Sequence, residues 1–256
     1  MTSAAWQGRP AASALGVRPA AASAGRRLAP LIYDLVKERL LEGGYQAGEW
    51  LPVEGLKVEC GVSKQPIMDA LRRLASDGLV EIIPQIGCRV PVYEGQDVAD
   101  FFAVFGGMEG AVAGVAAHRY TPEQLDELAA ANTEIDQLRT APDASVRSHG
   151  YRVLNRRFHA LIHEMAQSPV VAEISRRMWD MSDLLINTSG VPQPLASAVS
   201  GRYDDHERII AALRDHDAAT ARAEMEAHIV GTVSIIHTEA RSGTANSAGS
   251  SRVVKA

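Results

Sequence analysis

Gly61-Val62-Ser63-Lys64-Gln65-Pro66-Ile67-Met68-Asp69-Ala70-Leu71-Arg72-Arg73-Leu74 carries the most information of any stretch in this chain. Ile67, Ala70, Leu71, Leu74 and the following Ala75 fall at i, i+3, i+4, i+7 and i+8, which makes one buried stripe of an amphipathic helix. Ser63 is placed to cap that helix, and Pro66 sits in its first turn, where a missing N–H is tolerated. Lys64, Gln65, Met68, Asp69 and Arg72 are left facing outward. On the N-terminal side, Leu31, Ile32, Leu35, Val36 and Leu40 recur at helical spacing and stop at Gly43-Gly44. Leu51-Pro52 then opens a shorter segment that runs to Cys60 and breaks at Gly61-Val62. On the C-terminal side, Leu79 to Ile83 and Cys88 to Val92 are β-rich runs around Pro84-Gln85-Ile86-Gly87, a hairpin pattern with a glycine turn. Two helices joined by a short turn and followed by a hairpin predict a winged helix-turn-helix, with Ser63 to Asp77 as the helix that enters the major groove.

The whole chain has 256 residues, 46% of them hydrophobic and only 5% aromatic, with a net charge of −5. That length suits two domains, and the Leu, Ala and Val of its periodic stretches favour helix over sheet, so the expected class is mainly α. Cys60 and Cys88 have no CxxC spacing, which argues against a disulfide framework or a cysteine zinc site and fits a reducing cytoplasm. No apolar run approaches the roughly 18 residues of a bilayer span, so no membrane association is expected. Residues 1–27 carry Arg9, Arg18, Arg26 and Arg27 with no acid and read as a disordered basic arm; residues 239–256 read as a disordered tail. The segment from Leu28 to Val92 holds seven Lys plus Arg against nine Asp plus Glu. DNA affinity would then rest on where the cations sit rather than on the domain total.

Residues 93–97 form a short polar connection, and residues 98–238 read as six antiparallel helices. Phe101, Phe102, Phe105, Met108, Val112 and Val115 mark the first; Thr121-Pro122-Glu123-Gln124 is a capping box that starts the second. Asn155 and His159 lie four apart and share one helix face, while His206 and His228 belong to the last two helices. Three imidazoles with one oxygen ligand suit zinc, nickel, manganese or iron and leave open positions. Capping or surface histidines are the alternative that spacing leaves open.

Gly61 to Leu74, followed by Asp77-Gly78-Leu79-Val80 and Gly87, resembles the winged-helix domain of the GntR regulator family. That resemblance implies a cytoplasmic homodimer that binds double-stranded operator DNA as a short palindrome. The positions it implies at the DNA are Glu54, Ser63, Lys64, Gln65, Met68, Arg72 and Gly87. Relatives commonly carry Arg where this chain has Glu54, Lys64 and Met68, so the operator does not carry over. A second resemblance, on Leu154 to His159, Asp205 to Leu213 and Ala219 to Ile229, is to the FCD effector domain of the FadR subfamily. It implies a divalent cation on Asn155, His159, His206 and His228 beside a small organic-acid effector, with Phe105 and Glu109 in the effector pocket. His163 does not match the ligand pattern, which leaves it at the margin of the site or in solvent. Many relatives have Arg at the place of Phe105, so a bidentate clamp is lost and an effector with an apolar portion is favoured.

The function expected is that of a ligand-responsive repressor, released from its operator by the effector, and not an enzyme. A metalloenzyme built on the three histidines is the first rival; the chain has no HExxH, no nucleophile elbow and no carboxylate paired with the histidines by spacing. A DNA-binding dimer with no ligand is the second.

Overall fold

In the computed structural model the backbone is described for residues 21–250 and side chains for residues 28–242. The chain divides into two units, Met1–Val92 and Tyr93–Ala256.

In the N-terminal unit, α1 (Ala21–Leu41), α2 (Val53–Cys60) and α3 (Lys64–Ser76) precede the strands β1 (Glu81–Ile83) and β2 (Gly87–Arg89). Val36, Leu40, Leu56, Ile67, Leu71, Leu74, Leu79 and Val90 form its core, each at most 1% exposed. Gly61, at φ 64, ends α2 with its N–H on the Val58 carbonyl and so makes the tight turn into α3, a left-handed conformation in which a side chain is strained. Ser63 holds the N-cap position of α3, but its hydroxyl makes no capping hydrogen bond. β1 and β2 pair antiparallel, Ile82 opposite Cys88, and Trp50 bridges to Arg89 as a third edge. The turn differs from the expected glycine turn. Gln85 takes the positive φ of 65, while Gly87 is already paired with Ile83. What Gly87 provides is room, since a Cβ there would lie 3.3 Å from the Trp50 ring.

The basic arm was expected over residues 1–27; residues 1–20 lie outside the described residues, and residues 21–27 are backbone of α1.

In the second unit six α-helices follow: α4 (Gly95–Ala116), α5 (Pro122–Gln137), α6 (Ala144–Ala166), α7 (Pro169–Asn187), α8 (Val199–Arg214) and α9 (Ala218–Ser250). The Thr121 and Gln124 reciprocal cap opens α5. Three expectations need correction. The connection is shorter than 93–97, because Glu94 and Asp97 form a capping box that starts α4 at Gly95. The backbone of α9 runs on to Ser250 in place of a tail from 239: no proline interrupts it, and Glu239 is tied to the Leu195 N–H at 2.8 Å. Finally, α4 is long and apolar enough by composition to cross a membrane. Its apolar character instead serves the bundle core, where Phe102, Phe105, Val112, Ala113 and Ala116 are buried among α6, α7 and α9. α4 lies close along α9 because Gly106, Gly110 and Gly114 present no side chain there; a Cβ on Gly110 would sit 2.7 Å from the Arg222 carbonyl oxygen.

Candidate functional site

Three helices bring three buried imidazoles together. His159 projects from α6, His206 from α8 and His228 from α9, at 1%, 0% and 3% exposure. One nitrogen of each ring lies within 4.8 Å of the others. The Nε2 atoms of His206 and His228 are only 3.3 Å apart. Their protonation can be deduced from what surrounds them. The Asn132 amide nitrogen donates to Glu207 at 2.7 Å, which leaves its oxygen to accept from the His206 Nδ1–H at 3.1 Å. Asp205, an acceptor held below the usual carboxylate range chiefly by His228 and Arg202 against its desolvation, takes the His228 Nδ1–H at 3.2 Å. Both Nδ1 atoms therefore carry protons, and two Nε2 lone pairs face each other. Lone pairs so placed call for a positive centre between them, and a carboxylate or amide behind each imidazole is the support that metal-binding histidines receive.

His159 makes the same case independently. Both of its ring nitrogens are buried and neither has a hydrogen-bond partner, an arrangement that costs roughly 1–3 kcal/mol if left so. Burial pushes the pKa of all three rings down, that of His228 to about 4 despite Asp205. Neutral imidazole is the ligand form, so a cation meets no proton competition near neutral pH. The residues present thus fit a divalent ion. Asn155, one turn before His159 on α6, accepts from the Tyr151 hydroxyl at 3.0 Å and borders the same narrow cavity as His228. Arg152 and Asp183 border it too, 3.6 Å from each other.

Phe105 and Glu109, expected in the effector pocket, lie apart from the cavity that Asn155 and His228 border. Phe105 is wholly buried edge-on to Trp179, with 4.9 Å between ring centroids, and neither residue borders the metal cavity. Glu109, 1% exposed, accepts from His163 Nε2 at 3.0 Å and from the Ser175 hydroxyl at 2.5 Å. His163 accordingly stands outside the three-imidazole group, half-buried and held by Glu109. Ser175 and Glu109 meet the same nitrogen of His163, which rules out the relay through two ring nitrogens that activates a serine nucleophile. Sequence reasoning missed Asn132 and Asp205, which hold the imidazoles of His206 and His228 from behind, and Arg202, which donates to the His228 carbonyl oxygen at 2.7 Å and pairs with Asp205; Asp205 stands beside His206 but gives no signal of its own.

On α3 of the other unit, Lys64, Gln65, Asp69 and Arg72 are exposed and Met68 is half-buried. Asp69 accepts from both Gln65 and Arg72 at 2.8 Å. Arg73 turns aside and lies 4.0 Å over the Tyr33 ring. Glu54, on α2, is exposed and pairs with Lys57 at 2.5 Å.

Residues 28–90 match the family described as bacterial regulatory proteins, gntR family, and residues 100–231 match the FCD domain. The HTH-type transcriptional repressor GlaR of Escherichia coli K12 is 23% identical over 207 residues, covering 80% of this chain and 93% of GlaR. The E. coli K12 regulator McbR is 23% identical over 144 residues, 56% of this chain and 63% of that protein. The solved structure of E. coli McbR/YncC superposes with a TM-score of 0.69 at 19% identity, over 83% of this chain and 98% of that one, a likeness of fold. Matched families and named relatives alike are transcriptional regulators rather than enzymes. The chain belongs to the gntR family of DNA-binding transcriptional regulators, with an FCD domain as its C-terminal part.

Proposed function

We propose that this regulator is a homodimeric repressor that leaves a palindromic operator when a small organic acid binds beside a divalent cation held by Asn155, His159, His206 and His228. The observation that carries the reading is His159, a buried imidazole with no hydrogen-bond partner at either nitrogen, set against two converging Nε2 lone pairs. A bound cation would supply a positive charge at which an anionic ligand group can be held. Arg152, bordering the same cavity, offers that ligand a second positive group, in place of the arginine absent at Phe105. Ser182, Asn187 and Thr232 add hydroxyl and amide groups to the wall. They favour a polar acid over the apolar effector that Phe105 alone suggested.

On the DNA side, Lys64, Gln65, Met68 and Arg72 form the row that faces the major groove, with Glu54 and Ser63 beside it and Gly87 in the wing. Family membership supports the homodimer and the two-fold operator.

Plasma mass spectrometry of the purified protein should find about one zinc, nickel, manganese or iron per protomer, and His206→Ala should lose most of it. DNA release, read by fluorescence anisotropy on a site selected from random fragments, should require both the cation and an organic acid. A metal-free protein that binds DNA and ignores every acid tested would establish the rival reading, a dimer without a ligand.

A further inference from the structure

We propose that a cleft between α6 and α7 is a second small-molecule site, separate from the metal cavity, built for a flat, mainly apolar, uncharged ligand with one hydrogen-bonding group. The cleft has a volume of about 530 Å³, in the range that holds drug-sized ligands. Ala160, Pro169, Ala172 and the Trp179 ring supply apolar wall. His163 and Ser175 supply the polar part, and Glu109 braces both from behind. A buried carboxylate, hydroxyl and imidazole are costly to assemble in a core; here Ser175, 1% exposed, is held by Glu109, and the half-buried imidazole of His163 is the group a ligand in the cleft can reach.

Trp179 supplies the second, independent observation. It is 7% exposed, and its indole N–H is buried without an acceptor. The ring borders the cleft, where its small exposed part adds to the apolar wall, with Arg156 lying 5.7 Å over it. Trp179 also borders the metal cavity and packs 4.3 Å from His159, which makes it the partition between the two sites. Phe105 backs this partition from the core.

Charge sets the ligand class. Arg156 on the rim is already paired with Asp180 at 2.8 Å and Asp183 at 2.9 Å, and Arg176 is paired with Glu173. Each cation bordering the cleft already has a carboxylate partner, so an entering anion must displace one of them and lie near Glu164 and Glu173, whereas a neutral ligand meets neither cost. The two cavities therefore select opposite chemistries: an acid at the histidines, a neutral aromatic in the cleft.

The test uses the full-length, metal-loaded protein and titration calorimetry with 2-naphthol, a neutral planar probe, against 2-naphthoate. The expected result is saturable binding of one naphthol per protomer, with naphthoate weaker by about tenfold or more. Ala172→Trp fills the cleft and should weaken naphthol by about tenfold or more, while metal content stays unchanged. Chelator treatment should leave saturable naphthol binding in place, with its affinity changed only as far as the shared Trp179 couples the two sites. Should Ala172→Trp fail to give a native circular dichroism spectrum, Ala160→Leu, at an exposed position of α6, decides in its place. Absence of saturable naphthol binding to the wild type overturns the proposal. So does loss of binding on metal removal, which would put the probe at the histidines, or binding untouched by the filling variant. If a second copy of the chain covers the cleft, naphthol will not bind and Ala172→Trp will shift the protein towards monomer in light scattering, which also overturns it.

Discussion

Asp69 holds two polar side chains of the recognition helix when no DNA is present. Gln65 and Arg72 both donate to its carboxylate at 2.8 Å, so an operator phosphate or base must compete with an internal partner for Arg72. Exposed pairs of this kind are worth little, about 1 kcal/mol or less, so the competition is winnable but selective. Asp69→Asn should raise affinity for nonspecific DNA and steepen the log affinity against log salt slope by about one unit, as one more cation becomes available. Arg72→Ala and Lys64→Ala should weaken operator binding with unchanged circular dichroism; a double variant that binds normally would remove α3 from the interface. Arg73 is different in kind. Stacked on Tyr33, it belongs to the packing of α3 on α1, and Arg73→Ala should lower unfolding free energy by about 0.5–2 kcal/mol, read by urea melts.

At the level of elements, the six-helix pattern of the FCD unit was readable because each helix buries a stripe at 3.6-residue spacing, as with Leu128, Ala131 and Ile135 on α5. Helix ends were less readable. The start of α4 depends on Glu94 and Asp97 capping each other, and a pair of acids with hydrophilic neighbours looks like linker. The persistence of α9 depends on Glu239, which reaches back to Leu195 N–H and the Ser197 hydroxyl, a contact across 44 positions that no local pattern encodes. Glu239→Ala should cost about 1–3 kcal/mol by stranding those donors and should raise amide exchange in the last turns of α9. The α4 glycines also escaped notice, since Gly106, Gly110 and Gly114 look like helix breakers when read singly. Their spacing of four puts all three against α9, and Gly110→Ala drives a Cβ into the Arg222 carbonyl oxygen at 2.7 Å. The two helices must then separate, at about 1–3 kcal/mol, which a thermal melt will show. A melt unchanged or raised would mean that the α4 and α9 contact has slack.

For the whole molecule, the question is how a ligand at three histidines can alter affinity for DNA. The histidines themselves were legible through their match to the effector-domain pattern, but the space around them was not, because a cavity is made by side chains from helices far apart in sequence. That space is small, about 30 Å³ beside Asn155, Arg152 and His228, enough for one or two waters. An organic acid of several carbons cannot enter without moving the walls, which come from α4, α6, α7, α9 and the segment at Pro194 and Leu195 that precedes α8. Binding energy is therefore available to drive a packing change, and close-packed helices respond by shifting between discrete arrangements. If the arrangement that admits the acid is the one with lower DNA affinity, the operator must weaken acid binding by the same factor that the acid weakens operator binding. A factor of roughly 5–150 is typical of such coupling. The prediction is that both titrations, acid into protein with and without operator by calorimetry, and operator into protein with and without acid by anisotropy, return one common factor. His228→Ala should abolish it while operator affinity without acid stays within about threefold, since that ring belongs to the ligand site of the second unit. Unequal factors at equilibrium would show that acid and operator act through some third process, such as a change in oligomeric state, rather than through one two-state bundle.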